Sequence, residues 1–64
     1  MRKPAPRELE IVAMLAMYWK PKEIPPVLGI TYQTMKNHLY FARKKTKARN
    51  TAHLVAICMT KGWV

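Results

Sequence analysis

The sequence predicts an all-α domain of four helices, the second of them short or distorted. Three observations carry that expectation. The chain has 64 residues, half of them hydrophobic, which allows one small domain with its own core and argues against disorder. Apolar residues recur at intervals of three and four in three separate stretches. Prolines and the two glycines fall between or at the ends of those stretches, and a Pro-Pro pair keeps the intervening segment out of any sheet.

The first helix is expected from about Arg7 to Tyr18. Pro6 suits its first turn, where a missing N–H does no harm, and Glu8 and Glu10 favour the positive helix N-terminus. Leu9, Val12, Ala16 and Trp19 recur at helical spacing, with Ile11, Leu15 and Tyr18 beside them. A helix apolar over most of its circumference suits a central position, packed by several others. Met1 to Ala5 reads as a mobile basic arm.

In the second segment, Lys20 to Gly29, the residues Ile24, Val27 and Leu28 have helical spacing, and Gly29 is well suited to close a helix. Pro25 and Pro26 stand where a helix interior would be, and an interior proline costs about 3 kcal/mol. The chain avoids that cost if residues 20–24 form an irregular turn and the helix starts at Pro25.

The third helix is expected from Tyr32 to Lys45 or Lys47, with Thr31 as its N-cap. At 100° per residue, Met35, Leu39, Ala42 and Thr46 gather on one narrow arc. Gln33, Lys36, Asn37, Tyr40, Lys44 and Lys47 lie on the far side, so a core stripe is opposed by a polar, cationic face. The fourth helix is expected from Thr51 to Lys61, capped by Asn50 and ended by Gly62, with Trp63 and Val64 folding back. Its run from Leu54 to Met59 is apolar all round and exceeds what one core-facing side can bury. Leu54, Ile57 and Cys58 form one stripe and Val55 and Met59 another; one is expected to pack on the first helix and the other on a second copy of the chain. A helix, a short second helix, a tight turn at Gly29-Ile30-Thr31 and then a basic third helix make up a helix-turn-helix pattern.

Charge narrows the partner. The formal net charge is +9, from 12 Lys and Arg against 3 acids. All three acids precede Lys36, and six basic residues lie between Lys36 and Arg49 with no acid among them. A one-sign run repels itself unless an anion relieves it, which points to nucleic acid. The apolar run Ile11 to Trp19 is far short of the about 20 residues a membrane span needs. A basic amphipathic protein lying on membranes fits poorly, because these basic residues share a helix with a core stripe. No secretory signal is visible, and a lone cysteine suits a reducing, cytoplasmic setting.

The order of fragments resembles the LuxR-type helix-turn-helix domain, a DNA-binding module of bacterial regulators. Pro6-Arg7-Glu8 followed by Glu10 is similar to its opening, and Lys22-Glu23-Ile24 with Leu28-Gly29-Ile30-Thr31 to its second helix and turn. Thr34, Met35, Lys36 and His38 match the signature of its recognition helix, and Lys45 a lysine late in that helix. Asn50, Leu54-Val55 and Gly62-Trp63-Val64 match the last helix and ending. The chain departs from the pattern at Lys20, Pro25-Pro26, Thr46-Lys47 and Thr51. Met35 to Lys45 also resembles region 4 of bacterial sigma factors, which shares the architecture.

The resemblance implies a sequence-specific regulator of transcription, bacterial or phage, that binds double-stranded DNA as a homodimer. It implies base reading by Gln33, Lys36, Asn37 and Tyr40, and phosphate contacts from Lys22, Thr34, Arg43, Lys44, Lys45, Lys47 and Arg49. It also implies a dimer interface on the fourth helix, drawn from Leu54, Val55, Ile57, Cys58 and Met59. An alternative is an interaction protein that uses the same fold to bind a host transcription regulator or RNA polymerase, with Met, Tyr and Trp as anchors. If the chain is a complete product, no attached sensor domain gates it.

Other chemistry is not expected. There is no Gly-rich phosphate loop, carboxylate pair or triad, so no enzyme and no cofactor is anticipated. His38, His53 and Cys58 do not have metal-ligand spacing. Cys58 reads as a small buried hydrophobe, the five methionines as gap-filling core, and Trp19 and Trp63 as core or lid residues.

Overall fold

A computed structural model describes all 64 residues and shows four α-helices with no strand. They are α1 (Pro6–Ala16), α2 (Ile24–Leu28), α3 (Tyr32–Thr46) and α4 (Thr51–Thr60), with a 3₁₀ turn at Pro21–Glu23 leading into α2. Helices α1, α3 and α4 pack on one another, and α2 leans on α3. No helix is long and apolar enough to cross a membrane.

The caps explain the boundaries. Thr31 Oγ1 accepts the N–H of Thr34 at 3.0 Å, and Asn50 Oδ1 accepts that of His53 at 2.8 Å, each satisfying a donor that the first helical turn leaves free. Ala5 precedes α1 and has no capping side chain. Glu8 reaches back instead, its Oε1 accepting the Ala5 N–H at 2.9 Å. Pro25 and Pro26 follow Ile24 in the first turn of α2, where their missing N–H groups break no helical bond. The second helix is therefore short, as expected, and begins one residue earlier than Pro25.

Each α-helix ends in a left-handed residue, and the next N–H closes on a carbonyl five residues back. Tyr18 (φ 69°), Gly29 (φ 67°), Lys47 (φ 61°) and Gly62 (φ 71°) are those residues. The closing bonds run from Trp19 to Met14, Ile30 to Pro25, Ala48 to Arg43 and Trp63 to Cys58, at 2.9–3.1 Å. Helix α1 consequently stops at Ala16, not Tyr18, and turns Met17 and Tyr18 outward; Tyr18 is 93% exposed. Trp19 is also exposed, while Trp63 folds back on the core.

The core consists of Ile11 and Val12 from α1, Ile24 from α2, Met35, Leu39 and Ala42 from α3, and Leu54 and Cys58 from α4. The buried Thr46 hydroxyl donates to the Ala42 carbonyl at 2.9 Å, which removes the penalty of an unpaired group. Of the methionines expected to fill the core, Met35 is buried and Met14 partly so; Met1, Met17 and Met59 are exposed. Residues 1–5 are docked where a mobile arm was expected. The Arg2 N–H donates to the Lys45 carbonyl at 2.8 Å, and Pro4 is buried.

Burial pushes the Cys58 thiol above its ordinary pKa, because the thiolate would lose its water. The unfolded chain ionises that thiol first, so its contribution is full below the unfolded pKa and declines as pH rises above it. The stability advantage of wild type over Cys58→Ala, measured by urea unfolding, should be constant at neutral pH and narrow as pH rises through about 8.5, the ordinary thiol value. Met35→Ala should lower stability by about 2–5 kcal/mol in the same assay, through the cavity it leaves.

Candidate nucleic-acid interface

Burial of Met35, Leu39, Ala42 and Thr46 fixes which side of α3 faces away. Gln33, Lys36, Asn37, Tyr40, Lys44 and Lys47 are all exposed, so the structure gathers the expected outward residues onto one face. Gln33 Nε2 donates to Asn37 Oδ1 at 3.0 Å, aligning the two amides one turn apart. The Lys36 ammonium lies 5.9 Å from the centre of the Tyr32 ring, and that of Lys44 lies 5.8 Å from the Tyr40 ring. These contacts hold flexible cations near flat surfaces without neutralising them.

No acid opposes this face. Glu8 pairs with Lys45, Glu10 with Arg7 at 3.0 Å, and Glu23 accepts the Lys20 N–H at 2.7 Å. Toward the end of α3, Tyr40, Arg43, Lys44, Lys47 and Ala48 line an open hollow of about 400 Å³. Arg43 is half-buried at its edge, and its Nε is buried without a hydrogen-bond partner. The hollow therefore offers three cations, which suits an anionic oxygen.

Other expected phosphate contacts lie elsewhere. Lys22 is exposed on the 3₁₀ turn, and Arg49 is exposed between α3 and α4. The Arg49 N–H donates to His53 Nδ1 at 3.0 Å, which ties that junction to the start of α4. Thr34 is half-buried and its hydroxyl oxygen accepts from Thr31 at 2.9 Å, so it reinforces the cap of α3.

Lys45 requires correction. Its ammonium contacts both oxygens of the buried Glu8, at 2.9 and 3.1 Å. Glu8 is 5% exposed, and a buried carboxylate must be paired to stay charged. Lys45 is thus a structural counter-ion that joins α1 to α3, on the flank away from the hollow.

The fourth helix requires a second correction. Leu54 and Cys58 lie in the chain's own core, so they are not open to a second copy. Val55 packs partly against that core, Ile57 is half-buried on the other flank, and Met59 is 56% exposed. The stripe that remains open centres on Met59. It borders an apolar groove of about 270 Å³ formed with Ala13, Ala16, Met17 and Val64.

Two exposed aromatics on α3, Tyr32 and Phe41, were not among the expected site residues. Their helical spacing was the available signal: Tyr32 lies four residues before Lys36, and Phe41 four after Asn37. Comparison of the chain with protein-family models, curated proteins and solved structures finds no match.

Replacing Lys45 by Met leaves Glu8 buried without its counter-ion. Stability should fall by about 1–3 kcal/mol, discounted from a fully buried pair because the lysine is partly exposed. Chemical unfolding of Lys45→Met against Lys44→Met checks this, since Lys44 has no acidic partner and should change stability by no more than about 0.5 kcal/mol.

Proposed function

We propose that this domain binds double-stranded DNA sequence-specifically, with α3 in the major groove, and acts as a regulator of transcription. The observation that carries the reading is the outer face of α3, where two aligned amides, a lysine and a tyrosine stand exposed with no acid near them. Amide side chains distinguish bases by their donor and acceptor pattern, whereas cations alone only hold phosphate. The hollow at Arg43, Lys44 and Lys47 supplies the second kind of contact, as helix C-terminal turns leave the groove toward the backbone. The resemblance to LuxR-type domains agrees with this division.

A homodimer through the Met59 side of α4 belongs to the same proposal. The apolar groove between α1 and α4 equally favours a second reading, in which a transcription protein docks there. Met59→Lys distinguishes them. Loss of self-association in sedimentation supports the homodimer. A chain monomeric at high concentration with and without DNA removes it.

Selection from a random duplex pool, followed by salt titration, tests the main reading. An enriched inverted repeat supports it, and no enrichment rejects it. On the selected site, Lys36→Ala and Asn37→Ala should each cost about 1–3 kcal/mol and flatten preference at one base pair. Lys44→Ala and Lys47→Ala should weaken binding to all duplexes and lower the slope of log affinity against log salt by about 1 each. Lys45→Met should leave that slope unchanged, in keeping with its engagement by Glu8.

A further inference from the structure

We propose that Tyr40 and Phe41 read thymine 5-methyl groups in the major groove, next to the base addressed by the Gln33–Asn37 pair. The inference rests on the DNA-binding reading and adds a specificity element to it. Phe41 is 54% exposed and Tyr40 47% exposed, although they sit in the middle of a helix with a filled inner face. No rotation of α3 buries Phe41 without drawing Met35 or Leu39 out of the core. Their rings meet edge to face, 5.3 Å between centres at 78°, a favourable arrangement that also restrains both side chains. The pair therefore presents a fixed apolar surface to solvent.

The order of side chains indicates what that surface meets. Asn37, Tyr40, Phe41 and Lys44 stand at positions i, i+3, i+4 and i+7, along the seam opposite the core stripe. An amide comes first, an apolar pair next and a cation last. Asn37 suits the N6 and N7 edge of adenine. Tyr40 and Phe41 follow about 4.5 and about 6 Å further along the helix axis, or between one and two base-pair steps. The thymine methyl is the apolar group that a base pair presents in the major groove. Lys36, Lys44 and Lys47 flank the pair with no acid among them, so the complementary surface carries negative charge at its edges and an apolar group at its centre. Duplex DNA has that combination.

The test replaces each thymine of the selected duplex in turn by deoxyuridine, which removes only the methyl group. At one or two positions wild type should lose about fourfold in affinity, the value of one buried methyl. Phe41→Ala should bind more weakly and become indifferent to the methyl at those positions, while Phe41→Leu retains part of the dependence. Asn37→Ala should keep the methyl dependence and lose preference at the neighbouring pair. Circular dichroism should show unchanged helix content in Phe41→Ala, because the ring is not in the core. Equal affinity for every deoxyuridine duplex overturns the proposal, as does full methyl dependence in both Phe41→Ala and Tyr40→Ala. A pool without any enriched sequence defeats the DNA reading itself, before any thymine is altered, and this proposal with it.

Discussion

Met35, Leu39, Ala42 and Thr46 set the roll of α3 about its own axis. They occupy about 60° of its circumference, and all four are buried where α3 packs on the other helices. A helix held along so narrow a stripe has little freedom to rotate, because turning it would expose Met35 or bury a lysine. The outer residues are thus placed by packing on the opposite side. The Thr46 hydroxyl extends the stripe by a turn without adding an unpaired polar group, since it bonds back to Ala42. The candidate interface is in this sense a by-product of the core.

Electrostatics reinforces the same division. Three acids against 12 Lys and Arg could have neutralised part of the outer face of α3. They are engaged elsewhere: Glu8 with Lys45, Glu10 with Arg7 and Glu23 with the backbone of Lys20. Glu8 does most, since one carboxylate caps α1 through Ala5 and fastens it to α3 through Lys45. The Arg2 N–H on the Lys45 carbonyl brings the first residues to the same place. One lysine of the basic run is therefore structural, and the others keep an uncompensated field.

Much of the fold was legible because local chemistry determined it. Thr31 and Asn50 announced the starts of α3 and α4, since their side chains can satisfy the first-turn donors. The Pro25-Pro26 pair announced a late, short α2 for the complementary reason, that proline lacks such a donor. The inner and outer faces of α3 followed from a clear period. The end of α1 was not legible, because nothing about tyrosine marks Tyr18 as a left-handed residue. The inward stripe of α4 was hidden by a run apolar on every side, which gives a period no phase. The Lys45–Glu8 pair joins residues 37 apart in sequence, and a lysine inside a basic run carries no sign of such a partner. The site was legible in its amides and cations and incomplete in its aromatics, since an apolar side chain reads as core until the core is seen to be full.

The closed helix ends have a consequence for how the molecule opens. Trp19, Ile30, Ala48 and Trp63 lie beyond the last residues of their helices, yet their amides are hydrogen-bonded to the turn they follow. Amide exchange at these four positions then requires the terminal turn itself to come apart, so protection from solvent deuterium extends past each helix into the connection. In a chain with two glycines, Tyr18 and Lys47 take up the left-handed backbone at the other two ends, and the last turns of α1 and α3 open first among the four.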